Sequence, residues 1–187
     1  TAVDVDGIAL FNSFSHNYEI SPDAVLCLMN IGHSITNLVF IINGYFFSMR
    51  DISVGMQALW ETIQGELAFG TDDMVNLYKG FFETVDPTRL EDAVETATGD
   101  LKVSLDTAFT YLETITQGKT VDKIYISGGG ALVPHLPEAI SMQMNLDCEV
   151  VNPFTNIIFD PTLFVERPPE EIGTVYTVAT GLALRAE

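Results

Sequence analysis

The chain has 187 residues, and its 26 acidic residues outnumber 8 basic ones, which gives a formal net charge of −18 at pH 7. Apolar residues make up 47% of the sequence and the mean hydropathy is +0.25, so the chain can bury a sizeable core. A field this negative repels nucleic-acid phosphates and anionic lipid headgroups. The composition therefore argues against nucleic-acid binding and against direct attachment to a membrane surface.

Cysteine and histidine usage argues against a metal site. Cys27 and Cys148 lie in apolar segments and form no C-x-x-C pair, so both are predicted to be core residues. The histidines, His16, His33 and His135, are far apart in the sequence. No metal ligands are predicted from the residues, and thiols used in this way are typical of a reducing cytoplasm.

No segment of the sequence predicts membrane insertion or secretion. The richest apolar run, LVFIINGYFF, is interrupted by Asn43-Gly44 and is shorter than the roughly 20 residues that cross a bilayer. No charged segment precedes an apolar one at the start, so no signal peptide is predicted. Because the first residue is Thr1 rather than Met, we expect a fragment of a longer protein.

The first third of the chain predicts a helix followed by a β-meander. Leu10, Phe11 and Phe14 fall on one helical stripe. The nearly continuous apolar run AVLCLMNI is typical of a strand buried on both faces. TNLVFII and YFFSMRDI flank Asn43-Gly44, and this dipeptide favours the type I′ turn of a β-hairpin.

The middle third predicts helices. Apolar side chains recur on one helical face at Met56, Leu59, Trp60, Ile63 and Leu67. Thr71, which precedes two acidic residues, is predicted to cap the next helix. A long amphipathic pattern then runs from Pro87 to about Gly118, with a predicted break at Gly99-Asp100.

The last third returns to alternating strands and helices. KIYISG and CEVVNPF predict strands on either side of a short helix in PHLPEAISMQMN. The final segment, EEIGTVYTVATGLALR, predicts a helix whose small residues permit close approach to a neighbour. The order of elements predicts a mixed α/β architecture.

Two loops carry candidate binding residues. In NIGHSITN, a strand ends near Asn30, Gly32 permits a tight bend, and Ser34 and Thr36 offer hydroxyl and N–H groups that suit phosphate oxygens. In YISGGGALVPHL, three glycines let the backbone approach a flat ligand closely. Taken alone, each segment could equally be only a turn, and neither matches a Rossmann or P-loop motif.

Together and in this order, the segments resemble a known family. The segments that carry the resemblance are VDVDGIALFN, NIGHSITNLVFIINGYFFSMRDISVG, VDKIYISGGGALVPHLPEAIS, VNPF and VATGLALR. They are similar to the PilM family of type IV pilus assembly, FtsA-related proteins of the actin-like ATPase superfamily. The resemblance implies the actin-like (ribonuclease H-like) ATPase fold, and here its second lobe with a mixed sheet, flanking helices and a helical subdomain insert.

The resemblance implies a site for ATP and magnesium in the complete protein. A phosphate-2 loop would comprise Asn30, Gly32, His33, Ser34 and Thr36. An adenosine motif would comprise Gly128, Gly129, Gly130 and Ala131, and Tyr78 and Lys79 would make weaker nucleotide contacts. No catalytic residue is assigned, because any ATP hydrolysis would belong to the complete protein rather than to this part of it.

The sequence departs from the family pattern at several of these positions. Asn30 stands where many relatives carry a magnesium-placing Asp, and His33 where a small residue is usual. Val75 and Tyr78 stand where FtsA-like relatives carry a Glu and a Lys, with Lys79 one step away. A second hypothesis is therefore a degenerate actin-fold interaction module that binds no nucleotide, and a third is a sugar-kinase relative.

The resemblance also implies a division of the chain and a set of partners. The partners would be pilus inner-membrane proteins such as PilN, and self-association is a further expectation. The protein would be located in the cytoplasm, peripheral to the inner membrane. The whole of 1–187 would be one actin-like lobe, made of a helix left from the first lobe (1–19), a sheet subdomain (20–52 and 121–168), a helical subdomain (53–120) and a connecting helix (169–187).

Overall fold

The computed structural model describes residues 4–81, 85–160, 162, 164 and 167–185. The predicted segments 1–19, 53–120, 121–168 and 169–187 each include a few residues that lie outside this part. In chain order the elements are α1 (Asp6–Asn17), β1 (Val25–Ile31), β2 (Thr36–Ile42), β3 (Tyr45–Ile52), α2 (Met56–Leu67), α3 (Thr71–Tyr78), α4 (Pro87–Ala97), α5 (Gly99–Thr116), β4 (Lys123–Ser127), α6 (Leu136–Met144), β5 (Asp147–Val150), α7 (Pro169–Ile172) and α8 (Thr177–Ala183).

The strands form one mixed sheet in the order β3-β2-β1-β4-β5. β1 pairs antiparallel with β2 and parallel with β4, and β5 pairs parallel with β4. Asn43 and Gly44 connect β2 to β3 with φ values of 54° and 80°, the left-handed pair that a type I′ turn needs. The predicted hairpin and the mixed α/β architecture are confirmed.

A hydrophobic core lies on each face of the sheet, because side chains alternate along the strands. Val25, Cys27, Met29 and Ile31 of β1 face the larger core, which they share with helices α2 to α6. The residues between them, such as Leu28, face a smaller core under α1. β1 and β2 are therefore buried on both faces, as the apolar run in the sequence predicts.

Two predicted helix boundaries are wrong by one residue. Gly70, not Thr71, is the N-cap of α3, because the Asp73 carboxylate accepts the Gly70 N–H at 2.9 Å and the helix starts one position earlier. The long amphipathic segment breaks at Thr98 rather than at Gly99-Asp100. The buried Thr98 hydroxyl donates back to the carbonyls of Val94 and Glu95, which helps to end α4 there.

The final segment consists of α7, a 3-10 turn (Gly173–Tyr176) and α8, rather than the single predicted helix. The Thr174 carbonyl accepts the Gly128 N–H at 3.1 Å and the Thr177 hydroxyl at 2.8 Å, which interrupts the regular helical hydrogen-bond pattern. The prediction of close packing is confirmed, because a Cβ on Gly181 would collide with the Ala9 backbone in α1.

Candidate functional site

The loop between β1 and β2 is held against the start of α2. The Gly32 and His33 carbonyls accept the N–H groups of Met56 and Gln57 at 2.8 and 2.9 Å, so the loop satisfies the free donors at the helix N-terminus. The Gly32 N–H donates to the Ile35 carbonyl at 3.0 Å. This loop is therefore fixed by its own backbone, and the Gly32 N–H is already used within it.

The side chains of this loop divide into exposed and buried ones. His33 and Ser34 are exposed, and within the described residues the Ser34 hydroxyl has no hydrogen-bond partner. Thr36 is fully buried and donates its hydroxyl to the Val54 carbonyl at 2.7 Å. The expectation that Thr36 offers its hydroxyl to a phosphate is not supported, because this donor already has a protein acceptor.

Asn30, the first residue of the predicted phosphate-2 loop, belongs to a row of polar side chains across the sheet. Its Nδ2 donates to Asn37 Oδ1 at 3.3 Å, and its Oδ1 accepts the Ser127 hydroxyl at 3.3 Å. Asn37 Nδ2 in turn donates to Asp51 Oδ1 at 2.8 Å. The Asn30 amide is therefore held in one orientation by neighbouring strands.

The glycine turn after β4 lies directly beside the end of β1. Gly128 has φ +86° and ψ −179°, a conformation open only to glycine, and a Cβ there would lie 2.6 Å from the Ile31 carbonyl oxygen. A Cβ on Gly130 would collide with the Ile31 side chain. Ala131 is buried behind them. The structure thus brings the two predicted loops together at one edge of the sheet.

Gly129 differs from its two neighbours. The nearest atoms to a Cβ at this position would be Met56 Sδ at 3.5 Å, Met56 Cε at 3.7 Å and the Tyr78 hydroxyl at 3.8 Å, which are ordinary contact distances. Gly129 is also the half-buried member of the three, whereas Gly128 and Gly130 are buried. The backbone at Gly129 is therefore the part of the turn that is open to a ligand.

A cavity of about 410 Å³ lies near this turn, at the end of α3. Tyr78 and Lys79, the two weaker predicted nucleotide contacts, line it. The other lining residues were not singled out in the sequence: Phe81, Leu132, Arg167, Ile172 and Val175. Arg167 fixes one wall, because its Nη1 donates to the Tyr78 carbonyl at 3.3 Å and its Nε pairs with Glu171 at 3.2 Å. Burial raises the pKa of the Tyr78 hydroxyl, and the nearby Arg167 charge opposes that rise.

The cavity combines apolar walls with positive charge. Leu132, Ile172 and Val175 supply the apolar part, and Lys79 and Arg167 are two of the 8 basic residues in the whole sequence. Because Arg167 is paired with Glu171, the lining combines apolar side chains with one ion pair and Lys79, which makes the cavity a candidate site for a mainly apolar ligand with an anionic group.

The described residues offer no preformed metal site and no membrane span. Among them, no group of three His, Cys, Asp or Glu side chains could hold a metal ion. None of the helices in the described part is both long and apolar enough to cross a bilayer. Cys27 is fully buried as predicted, whereas Cys148 is only half-buried.

Comparison with protein families identifies the chain. The model of the family described as type IV pilus assembly protein PilM matches residues 1–187. The chain belongs to the PilM family. No curated protein sequence matches it.

Solved structures agree with this family and with the fold. The PilM-PilN type IV pilus biogenesis complex matches with a TM-score of 0.77 at 23% identity, covering 98% of this chain and 52% of that one. Ethanolamine utilization protein EutJ from Carboxydothermus hydrogenoformans matches with a TM-score of 0.56 at 15% identity, covering 97% and 53%. MreB 5 of Spiroplasma citri, bound to AMPPNP, matches with a TM-score of 0.56 at 15% identity, covering 94% and 56%.

This PilM-family chain therefore has the predicted actin-like ATPase fold. It spans about half the length of each of these solved chains, between 52% and 56%.

Proposed function

We propose that this chain contributes to an ATP-binding scaffold of type IV pilus assembly, and that ATP with magnesium binds beside Gly129. The observation that carries the proposal is the half-buried backbone of Gly129, whose Cβ position lies 3.8 Å from the hydroxyl of Tyr78. Tyr78 in turn lines a cavity with apolar walls and two basic residues. A ligand with a flat base and an anionic tail satisfies both features, and ATP is such a ligand.

The adenosine part would lie in the cavity. Its volume of about 410 Å³ is within the range of about 300–1,000 Å³ that is typical of small-molecule sites. Leu132, Ile172 and Val175 would pack against the base, while Gly129 allows its close approach. Tyr78 is the last residue of α3 and Lys79 follows it, so both would contact the nucleoside, and Arg167 lies beside them through its bond to the Tyr78 carbonyl.

The phosphates would extend toward the loop between β1 and β2. Among the described residues, the N–H groups of His33, Ser34 and Ile35 donate to no backbone carbonyl, and the Ser34 hydroxyl has no partner. Such a set of free donors suits phosphate oxygens. Magnesium keeps several waters when bound with phosphates, and Asn30 Oδ1 would accept a hydrogen bond from one of them.

Solved relatives of the same fold support nucleotide binding. MreB 5 of Spiroplasma citri is solved with AMPPNP and, as MreB5, with ADP, the latter with a TM-score of 0.60. These structures share the fold with this chain at 15% and 12% identity, so they support the proposal by architecture alone.

The partner side of the proposal is an inner-membrane pilus protein. A solved PilM is in complex with PilN, and we infer that the complete protein binds a PilN-like tail and is held at the cytoplasmic face of the inner membrane in this way. No residue of this chain is assigned to that contact.

The predicted division into subdomains is part of the same proposal. Residues 20–52 and 121–168 would form the sheet subdomain, 53–120 the helical one, and 1–19 and 169–187 the flanking helices. One continuous core joins the sheet to helices α2 to α6, so the two subdomains would share that core while their outer edges flank the cavity.

Titration of labelled ATP with magnesium into the complete gene product tests the proposal. We expect saturable binding below millimolar ATP, and about a tenfold or greater loss of affinity for Gly129→Leu, because the side chain would fill the open backbone wall. Gly65→Leu is the matched control, since a Cβ at this exposed position in α2 meets nothing within 4 Å. Absence of binding by the wild type at millimolar ATP would sink the proposal.

A second candidate function is an actin-fold interaction module that binds no nucleotide. Asn30 lacks the charge of the family aspartate, and Val75, which stands where relatives carry a polar contact, is a 44% exposed apolar residue. This candidate predicts that the complete protein binds a PilN-like tail equally well with and without ATP.

A further inference from the structure

Four polar side chains lie at the same level on four adjacent strands. Asp51 of β3 is paired with Asn37 of β2, Asn37 with Asn30 of β1, and Asn30 with Ser127 of β4. They form a continuous hydrogen-bonded chain, here called the polar row, from the outer strand β3 to the start of the glycine turn. Asn37 is 7% exposed and Ser127 fully buried, so water cannot readily replace the inner bonds.

The chemistry of Asp51 decides which side chain donates and which accepts in each hydrogen bond between Asp51 and Asn30, here called the direction of the polar row. An ionised carboxylate only accepts hydrogen bonds, so Asn37 must turn its NH2 group toward Asp51 and its oxygen toward Asn30. Asn30 must then turn its own NH2 group toward Asn37. Its oxygen is left to face Ser127, whose hydroxyl donates to it.

Neither neighbour of Asn30 imposes this direction by itself. Asn37 is an amide that presents a donor on one side and an acceptor on the other, and the Ser127 hydroxyl can donate or accept. With a neutral amide in place of Asp51, the polar row could run in either direction. The carboxylate is the member that removes this ambiguity.

The direction matters because of where the Asn30 oxygen lies. A Cβ built on Gly128 would be 2.8 Å from it, so this oxygen is at the junction between the glycine turn and the end of β1. An oxygen at this place would accept hydrogen bonds from the waters of a hydrated divalent cation, whereas an NH2 group would direct its own donors at them.

We propose that Asp51 is a positioning residue of the nucleotide site, which acts through Asn37 to turn the Asn30 oxygen toward the hydrated cation that accompanies the phosphates. The inference rests on the proposed nucleotide binding. Asp51 would thus orient the amide at position 30 from β3, two strands away.

The first experiment compares nucleotide affinity with magnesium and with EDTA for the wild type and Asp51→Asn. We expect Asp51→Asn to lose about tenfold in affinity with magnesium, the usual cost of removing a residue that orients a metal-site group, and to lose nothing in EDTA. Removal of a negative charge alone would strengthen binding of the anionic nucleotide in both conditions. Asp23→Asn, an exposed residue before β1, is the charge-matched control and should behave as the wild type.

The second experiment reverses the polar row. Asn30→Asp places carboxylates on both sides of Asn37, which has an NH2 group for only one of them, so we expect a lower melting temperature. The double variant Asn30→Asp with Asp51→Asn restores one donor for each acceptor in the opposite direction. We expect it to recover the melting temperature.

The outcomes separate the two proposals. If the wild type binds nucleotide but Asp51→Asn keeps its full magnesium dependence, the role of Asp51 is overturned and nucleotide binding stands. If the double variant is no more stable than Asn30→Asp, the directional coupling through Asn37 is overturned. If the wild type binds no nucleotide in either condition, both proposals fall together.

Discussion

The two loops at the edge of the sheet use their backbones in opposite ways. In the loop between β1 and β2, the carbonyls of Gly32 and His33 accept N–H groups of α2, whereas the exposed residues His33, Ser34 and Ile35 donate their own N–H groups to no backbone carbonyl of the described residues. In the glycine turn, Gly128 and Gly130 are packed tightly against β1, and only Gly129 faces outward. The loop between β1 and β2 thus offers hydrogen-bond donors to a ligand, and the glycine turn offers a backbone surface without side chains.

This difference teaches that the predicted site residues are of two kinds. Thr36, Gly128 and Gly130 are buried and bound to neighbours, so they maintain the shape of the loops. Ser34 and Gly129 face outward and are the positions where a ligand would be contacted. Substitutions in the first group should therefore alter stability, and those in the second should alter affinity.

The largest expected effect is at Gly128. Gly128→Ala combines a backbone conformation restricted to glycine with a Cβ 2.6 Å from the Ile31 carbonyl oxygen, so we expect a loss of about 3 kcal/mol in the free energy of unfolding. Gly44→Ala is the control, because Gly44 has φ +80° but open space around it, and it should lose only about 1 kcal/mol. Equal losses in denaturant unfolding would contradict the close contact with β1.

The second effect is at Thr36. Thr36→Val keeps the shape but removes the donor to the carbonyl of the half-buried Val54, and we expect a loss of about 1 kcal/mol in the free energy of unfolding. Thr62→Val removes a hydroxyl that bonds within an exposed helical turn, and it should change stability by less than about 0.5 kcal/mol. A stable Thr36→Val variant with weak ATP binding would return Thr36 to the ligand-contacting group.

Ser34 should show the reverse pattern. Ser34→Ala is expected to leave the free energy of unfolding within about 0.5 kcal/mol of the wild type, since the side chain is exposed. Its affinity for ATP with magnesium should fall about fivefold, the worth of one hydrogen bond of about 1 kcal/mol. Ser15→Ala on α1, whose hydroxyl bonds within its own helix, is the control in the same titration.

The smallest effect concerns Tyr78, which lies across from Gly129. Burial raises its pKa in the folded state, so the unfolded chain ionises first as the pH rises through the ordinary tyrosine pKa of about 10. Stability from this residue is therefore complete below about pH 10 and is lost above it. Unfolding measured from pH 8 to 11 should show a shallower decline for Tyr78→Phe than for Tyr45→Phe, whose ring is 77% exposed.

Much of the fold follows from local patterns in the sequence. The Asn43-Gly44 turn, the strands buried on both faces and the helical stripes are all set by spacing and residue type, and the structure has them as predicted. The glycine turn was also predicted, because glycine adopts without strain the positive φ that a tight turn after a strand requires, as Gly128 does here.

The cavity could not be predicted in this way. Arg167, Ile172 and Val175 follow a loop that comes after the last strand, and they meet Tyr78 only through tertiary packing. No periodicity or motif in the sequence connects positions so far apart. The scarcity of basic residues was a usable signal, but it identifies Arg167 only when its neighbours are known.

The polar row also escapes prediction, for a different reason. Counting residues back from the Asn43-Gly44 turn would place Arg50 opposite Asn37. A β-bulge between Phe40 and Ile41 inserts one extra residue in β3, and this shift brings Asp51 opposite Asn37 instead. The register of this hairpin beyond the bulge is therefore a property of the folded sheet.

The contact between α1 and α8 limits how the molecule can move. At Gly181 the backbone of α8 lies against the backbone of Ala9 with no side chain between them, and Asp4 and Arg185 form an ion pair of 2.6 Å near the same ends. Sliding motions between helices depend on side chains that can change rotamer, and this contact has none. We expect α1 and α8 to move together as one rigid unit. Ile172 and Val175 of the cavity wall precede α8 by only a few residues. We therefore expect a displacement of that wall to move α1 as well.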